Sequence, residues 1–212
     1  MSNSGSSQGR TRRGQSPDRT TTRHPQWHQV ADAEEYAERL AAGCRRIEVR
    51  LPVGSSQDAL IDLGAIPTDV QVKVCGRAAV RVSGGEVVVT DSAHVEAIGD
   101  AVVHAYASAT VTAFGTASLT GRGRSRLTLC DECRAVGYDH TAIAVWDSAY
   151  AHGLDHATVA VGPVTDGQSP QIHLSDHAHL YTAARITVTG PARTHITHTP
   201  TPFDTAPADF DY

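Results

Sequence analysis

Nine eight-residue segments follow one another without a gap from Asp91 to Gly162. They read DSAHVEAI, GDAVVHAY, ASATVTAF, GTASLTGR, GRSRLTLC, DECRAVGY, DHTAIAVW, DSAYAHGL and DHATVAVG. The first position is Asp or Gly in eight of the nine, with Ala107 the exception. The third is always small, the fifth apolar, and the seventh small or apolar. The second, fourth and sixth are mostly polar. Alternation at positions three, five and seven is the period of a strand with one buried face. A helix would need apolar spacings of three and four, which the octads lack. Gly reaches positive φ freely and Asp bonds nearby backbone, so the first position is a corner.

A strand this short cannot bury its face alone. Stacking each octad on those before and after it pairs every backbone group across about 4.8 Å. The expected fold is therefore all-β: a parallel β-helix, or solenoid, of stacked coils built from octapeptides. An antiparallel meander would prefer Asn-Gly or Gly-Gly hairpin turns, and these corners carry a lone Asp or Gly. The number of octads per coil stays open. Two give a flat, two-sided solenoid of sixteen residues per coil, and three give a triangular prism of twenty-four. A thin Ala-Val-Ala inward set cannot fill a wide lumen, which argues for two sides.

Ahead of the octads, Gln29 to Gly43 has helical spacing in Val30, Ala33, Ala37 and Leu40. Asp32 followed by Glu35 fits a capping box, Gly43 is a plausible stop, and Arg46 to Leu51 alternates as a strand. This stretch, ADAEEYAERLAAGCRRIEVRLP, resembles the opening of right-handed parallel β-helix proteins of the pectate-lyase-like class. In those proteins a short amphipathic helix plugs the first coil. The resemblance implies one N-terminal capping helix, and it tips the expected coil to three sides. The octads themselves are similar to Ala/Val octapeptide repeats of bacterial and phage proteins. Neither likeness carries catalytic residues onto this chain.

Four segments are expected: a basic arm without order (1–25), the capping helix with a first strand (26–48), the solenoid (49–190), and a Pro/Thr/Asp-rich tail (191–212). Short strands are expected at Val70–Cys75, Ala79–Val82 and Glu86–Thr90, a loop at Pro163–Pro170, and a last strand at Ile186–Thr189. The net charge of −5 gives no basic body for nucleic acid, so only the arginine-bearing arm is a candidate there. No apolar run reaches the roughly 18 residues of a membrane span. The N-terminus shows no apolar signal segment, so the cytoplasm is the default location, with export by another route left open. Four cysteines in 212 residues do not make a disulfide framework.

The bulk of the repeat falls at position eight, in Ile98, Tyr106, Phe114, Tyr138, Trp146 and Leu154. Of these, Tyr106, Phe114, Tyr138 and Trp146 are candidates for an aromatic strip that binds sugar rings or a partner surface; the plainer reading is a spine shielding the corners. The corner carboxylates Asp131, Asp139, Asp147 and Asp155 would stack about 5 Å apart, a separation used by retaining glycosidases. Turn chemistry accounts for them equally well, and a calcium β-roll would need a Gly-rich nonapeptide. Among the twelve histidines, His173, His177 and His179 cluster beyond the loop and are the candidate metal ligands, together with Asp176. Cys130 and Cys133 have CxxC spacing, but a redox pair belongs at a helix N-terminus and a zinc site needs a second pair. Scattered threonines do not form the flat repeated face of an ice binder.

No cofactor is expected. Nine uninterrupted octads leave little room for a cleft, so the sequence favours a non-catalytic rigid scaffold for binding or assembly. Its expected partners are a protein, copies of itself, or a polysaccharide. The alternative is a polysaccharide lyase or hydrolase on a pectate-lyase-like β-helix.

Overall fold

The computed structural model describes residues 26–198, apart from 53, 56–59, 166 and 192–194. The basic arm (1–25) and most of the C-terminal tail lie outside the described residues.

Before the octads come β1 (His28–Val30), α1 (Ala33–Ala41), β2 (Arg46–Val49), β3 (Ile61–Ala65), β4 (Gln71–Val74), β5 (Ala79–Gly84) and β6 (Glu86–Val89). Each octad then supplies one four-residue strand: β7 (His94–Ala97), β8 (Val102–Ala105), β9 (Thr110–Ala113), β10 (Ser118–Gly121), β11 (Arg126–Leu129), β12 (Arg134–Gly137), β13 (Ala142–Val145), β14 (Tyr150–Gly153) and β15 (Thr158–Val161). After the loop follow β16 (Gln171–Leu174), β17 (His179–Thr182), β18 (Thr187–Thr189) and β19 (His195–Thr197).

All pairings are parallel, and strands alternate between two sheets. The first sheet runs β1-β2-β4-β6-β8-β10-β12-β14-β16-β18, and the second holds the odd-numbered strands from β3 to β19. Partners in the octad region are sixteen residues apart, as in Ser118 opposite Arg134. The solenoid is thus two-sided, and the three-sided coil implied by the pectate-lyase-like opening is wrong. The reason is packing. Inward residues are mostly Ala, Val and Gly with a few Leu and Ile, and side chains this small fill the space between two facing sheets more readily than a wide triangular lumen.

The inward register agrees with the alternation. Third, fifth and seventh positions are buried throughout, as in Ala109, Val111 and Ala113. The two faces are matched in volume. Where the second sheet enlarges to Leu127 and Ile143, the first sheet shrinks to Gly121 and Gly137. A Cβ on Gly121 would lie 3.0 Å from Leu127 Cδ1, and one on Gly137 would lie 2.8 Å from Ile143 Cδ1.

The aspartate corners and that of Ala107 are four-residue turns closed from position three to the preceding position eight, as in Ala109 N–H donating to the Tyr106 carbonyl at 3.2 Å. The first position takes positive φ, between 54° and 62° for the aspartates. Aspartate does more here than tolerate that conformation. Its carboxylate reaches the neighbouring coil and accepts the corner N–H of the residue about sixteen back: Gly115 to Asp131 at 2.8 Å, Gly123 to Asp139 at 2.9 Å, Asp131 to Asp147 at 3.0 Å and Asp139 to Asp155 at 3.2 Å. The expected bond to its own downstream backbone is replaced by a bond between coils.

Ala107 holds the same left-handed conformation, φ 57°, with neither glycine's freedom nor a carboxylate. A left-handed alanine costs about 1–2 kcal/mol. Ala107→Gly is therefore expected to raise unfolding free energy by about 1 kcal/mol, after allowing for the extra freedom of the unfolded chain. A urea titration measures it; a lower midpoint for the variant would show that the corner is unstrained.

At the N-terminal end, Asp32 caps the helix by accepting from Glu35 N–H at 2.8 Å, and the Glu35 carboxylate reaches back to accept from Ala31 N–H at 2.7 Å, one residue ahead of the N–H that a strict capping box uses. Gly43 at φ 79° ends α1, with Cys44 N–H bonded to the Arg39 carbonyl and Gly43 N–H to that of Leu40. The helix packs on β1, β2 and β3, which include the edge strands of both sheets. It starts later than its spacing implied, because His28–Val30 pairs with β2 as a strand. At the other end, Thr187–Thr189 is not the last strand: β19 pairs with β17 beyond it.

Candidate binding surfaces

With two octads per coil, successive corners fall on opposite edges of the solenoid. One edge carries Asp91, Ala107, Gly123, Asp139, Asp155 and Asp176; the other carries Gly99, Gly115, Asp131 and Asp147. The same alternation divides the candidate aromatic residues. Tyr106 and Tyr138 lie on the first edge and Phe114 and Trp146 on the second, so the four do not form one strip. Tyr106 is 40% exposed. Two coils on, the Arg122 guanidinium sits 4.5 Å from the Tyr138 ring centroid, a cation–π contact. Trp146 closes over Gly162, where a Cβ would stand 2.3 Å from the indole. That ring shields the corner.

The candidate metal ligands also separate. His177 sits at a corner, His173 projects from the first sheet and His179 from the second. His173 meets His152 edge-on at 4.4 Å and bonds Thr189 Oγ1 at 2.9 Å, while His179 bonds Thr197 Oγ1 at 2.8 Å. Among the described residues no group of three or more His, Cys, Asp or Glu is placed to hold a metal ion. The corner does gather a different set: His140, His156 and His177 stack along one edge with centroids 5.5 and 5.3 Å apart. They follow their aspartates in sequence and repeat with the coil.

Cys130 and Cys133 are both buried and unbridged. Burial, reinforced by Asp147 and Asp131, pushes the Cys130 thiol up to about 12, and burial pushes Cys133 up to about 11. Both shifts disfavour the thiolate, the opposite of what activates a nucleophilic or redox cysteine. The corner aspartates, split between two edges, spend carboxylate oxygens on backbone N–H groups of the neighbouring coil.

One surface with room for a ligand is not one the repeat singled out. Along the second edge, where the chain enters the first sheet, residues from four successive coils line a groove of about 650 Å³. Its rungs are Thr116 with Ser118, Glu132 with Arg134, Ser148 with Tyr150, and Ser169 with Gln171. Each rung is an octad's second and fourth position, or its equivalent in the loop. The loop supplies the last rung because it is clipped down: Gln168 Nε2 donates to Asp147 Oδ1, and Ser169 N–H donates to Ser148 Oγ at 3.3 Å. The extra residues of the loop leave Tyr150 opposite Gln171, twenty-one positions on, and stacking continues undisturbed. The signal in the sequence was the polarity of positions two and four, but only the two-octad coil brings alternate octads together.

A second hollow, of about 620 Å³, lies where α1 meets the first coil and holds the Arg45–Asp69 ion pair at 2.7 Å. No described helix is long and apolar enough to cross a membrane. Comparison with protein-family models, with curated proteins and with solved structures finds no match in any of the three.

Proposed function

We propose that this chain is a non-catalytic, rigid binding module whose groove along the first sheet takes an extended, polyhydroxylated chain such as a polysaccharide. The observation that supports this reading is the periodicity of the groove. Its rungs rise with the coils, about 4.8 Å each, so an extended polymer meets a fresh donor–acceptor pair at every step. The lining suits a neutral chain: hydroxyls of Thr116, Ser118, Ser148 and Ser169, the Gln171 amide, one acid, one base, and the Tyr150 ring. Aromatic and hydroxyl groups on a stiff scaffold bind with little loss of side-chain freedom.

A lyase or hydrolase would need an acid or base free to act on the bound chain. The corner aspartates are occupied between coils, which leaves Glu132 as the one carboxylate in the groove. The test is co-sedimentation with a panel of insoluble polysaccharides, scoring both retention and new chain ends. Retention without chain ends, weakened about tenfold by Tyr150→Ala, is the expected result; losing a well-packed ring from an interface costs about 1–2 kcal/mol. New chain ends that vanish in Glu132→Gln would make the protein a pectate-lyase-like enzyme instead. Failure to retain any polymer would remove the groove from consideration.

A further inference from the structure

The two ends of the solenoid are treated differently. At the N-terminal end α1 lies against the edge strands of both sheets. At the C-terminal end β18 and β19 each have one strand partner among the described residues, and no described strand lies beyond either. The described inward columns end there too. Val188 continues the column of Ile172, and Ile196 continues that of Leu180. Leu180 is fully buried, whereas Ile196, one coil on, is 43% exposed. Proteins usually blunt such edges with Lys, Pro or a bulge inside the strand. Neither Thr187-Val188-Thr189 nor His195-Ile196-Thr197 contains a charged residue or a proline.

We infer that the C-terminal end is a self-association surface and that its occupant is a second copy of this chain, placed end to end across a two-fold axis. A partner for this end must present two strand edges at the separation of the two sheets, with apolar side chains between them. A single extended peptide would satisfy one sheet and leave the other open. The same end of another copy has the required spacing by construction, and one patch serving both copies is the isologous arrangement of closed dimers. The two-fold reverses strand direction, so the new pairs are antiparallel, the slightly more stable arrangement per residue. Because α1 occupies the opposite end, growth stops at two copies and no filament forms. The footprint is only the cross-section of a flat solenoid. That is well below the roughly 800 Å² per partner of a standard interface, so the dimer is weak and depends on concentration.

The inference stands apart from the groove, which lies along the solenoid's side. Its test is sedimentation velocity on the full-length protein from micromolar to submillimolar concentration. A mass rising from one chain to two, and no further, is the expected result. Ile196→Lys should hold the protein at one chain throughout while leaving its far-ultraviolet circular dichroism and polymer retention unchanged. Three results overturn the inference. One is a single-chain mass at every concentration, which residues 199–212 covering their own end would give. Another is a dimer indifferent to both Ile196→Lys and Val188→Lys. The third is growth beyond two copies.

Discussion

Val111→Asp is expected to lower unfolding free energy by at least about 3 kcal/mol, because it places an unpaired carboxylate where nothing can solvate it. Val111 is fully buried and stacks between Val95 and Leu127 in the second sheet's inward column. Its neighbour supplies the control. Thr112 faces outward between Glu96 and Thr128, so Thr112→Asp is expected to cost less than about 1 kcal/mol, mostly through its closeness to Glu96. Glu96 is already held by Arg81 at 2.9 Å, which softens that repulsion. Paired urea titrations give both numbers. Equal losses would mean the inward register is off by one residue, since such a slip exchanges the two faces.

The second large effect comes from adding atoms. Gly121→Val is expected to cost about 3 kcal/mol, the upper part of the range for overpacking a filled core. A Cβ at Gly121 would stand 2.6 Å from Thr141 Cγ2 and 2.8 Å from Ser125 Oγ. Thr141 cannot swing aside cheaply. Its hydroxyl donates to the Tyr138 carbonyl at 2.7 Å and meets Ser125 Oγ at 3.3 Å, and both residues are fully buried. At Gly137, one coil on, the nearest obstruction is the Ile143 Cδ1 methyl at 2.8 Å, with Thr141 Cγ2 and Cβ behind it at 3.1 and 3.2 Å, so Gly137→Ala should cost less in an Ile143→Val background, where the nearest atom is gone. A coupling of about 0.5 kcal/mol or more is expected for residues in contact. Strict additivity would mean that the two sheets are not matched in volume residue by residue.

These predictions rest on what alternation reveals well. The register of Val95, Val111 and Leu127 could be read from the octads, because a buried face leaves period two in the sequence whatever the coil length. The cap was readable in Asp32, Glu35 and Gly43, since each does a local job that few residue types can do. The number of sides was not readable. An octad has the same corner and strand whether two or three complete a turn, and only the volume enclosed distinguishes them. Everything that depends on the count was hidden with it. Tyr106 and Phe114 occupy equivalent positions in adjoining octads yet lie on opposite edges. His173, His177 and His179 are close in sequence, but a corner between two sheets turns them three ways. The groove needed Glu132 and Ser148 to be recognised as neighbours sixteen residues apart. β1 escaped notice because three residues carry no period, and β19 because the prolines and threonines around it mask a strand.

The two-octad coil also sets the step by which a chain of this kind can change its length. Removing sixteen residues, 107–122 for instance, would return every later side chain to its own sheet and its own edge. Removing only 107–114 would transpose them all, carrying the stacked imidazoles and the whole groove to the opposite margin and sheet relative to the N-terminal coils, although each octad left behind would be intact. The octad is the unit of spelling and the pair is the unit of inheritance, so related chains should differ by whole pairs. Additions of other sizes are confined to the corners, as the extra residues between β15 and β16 show.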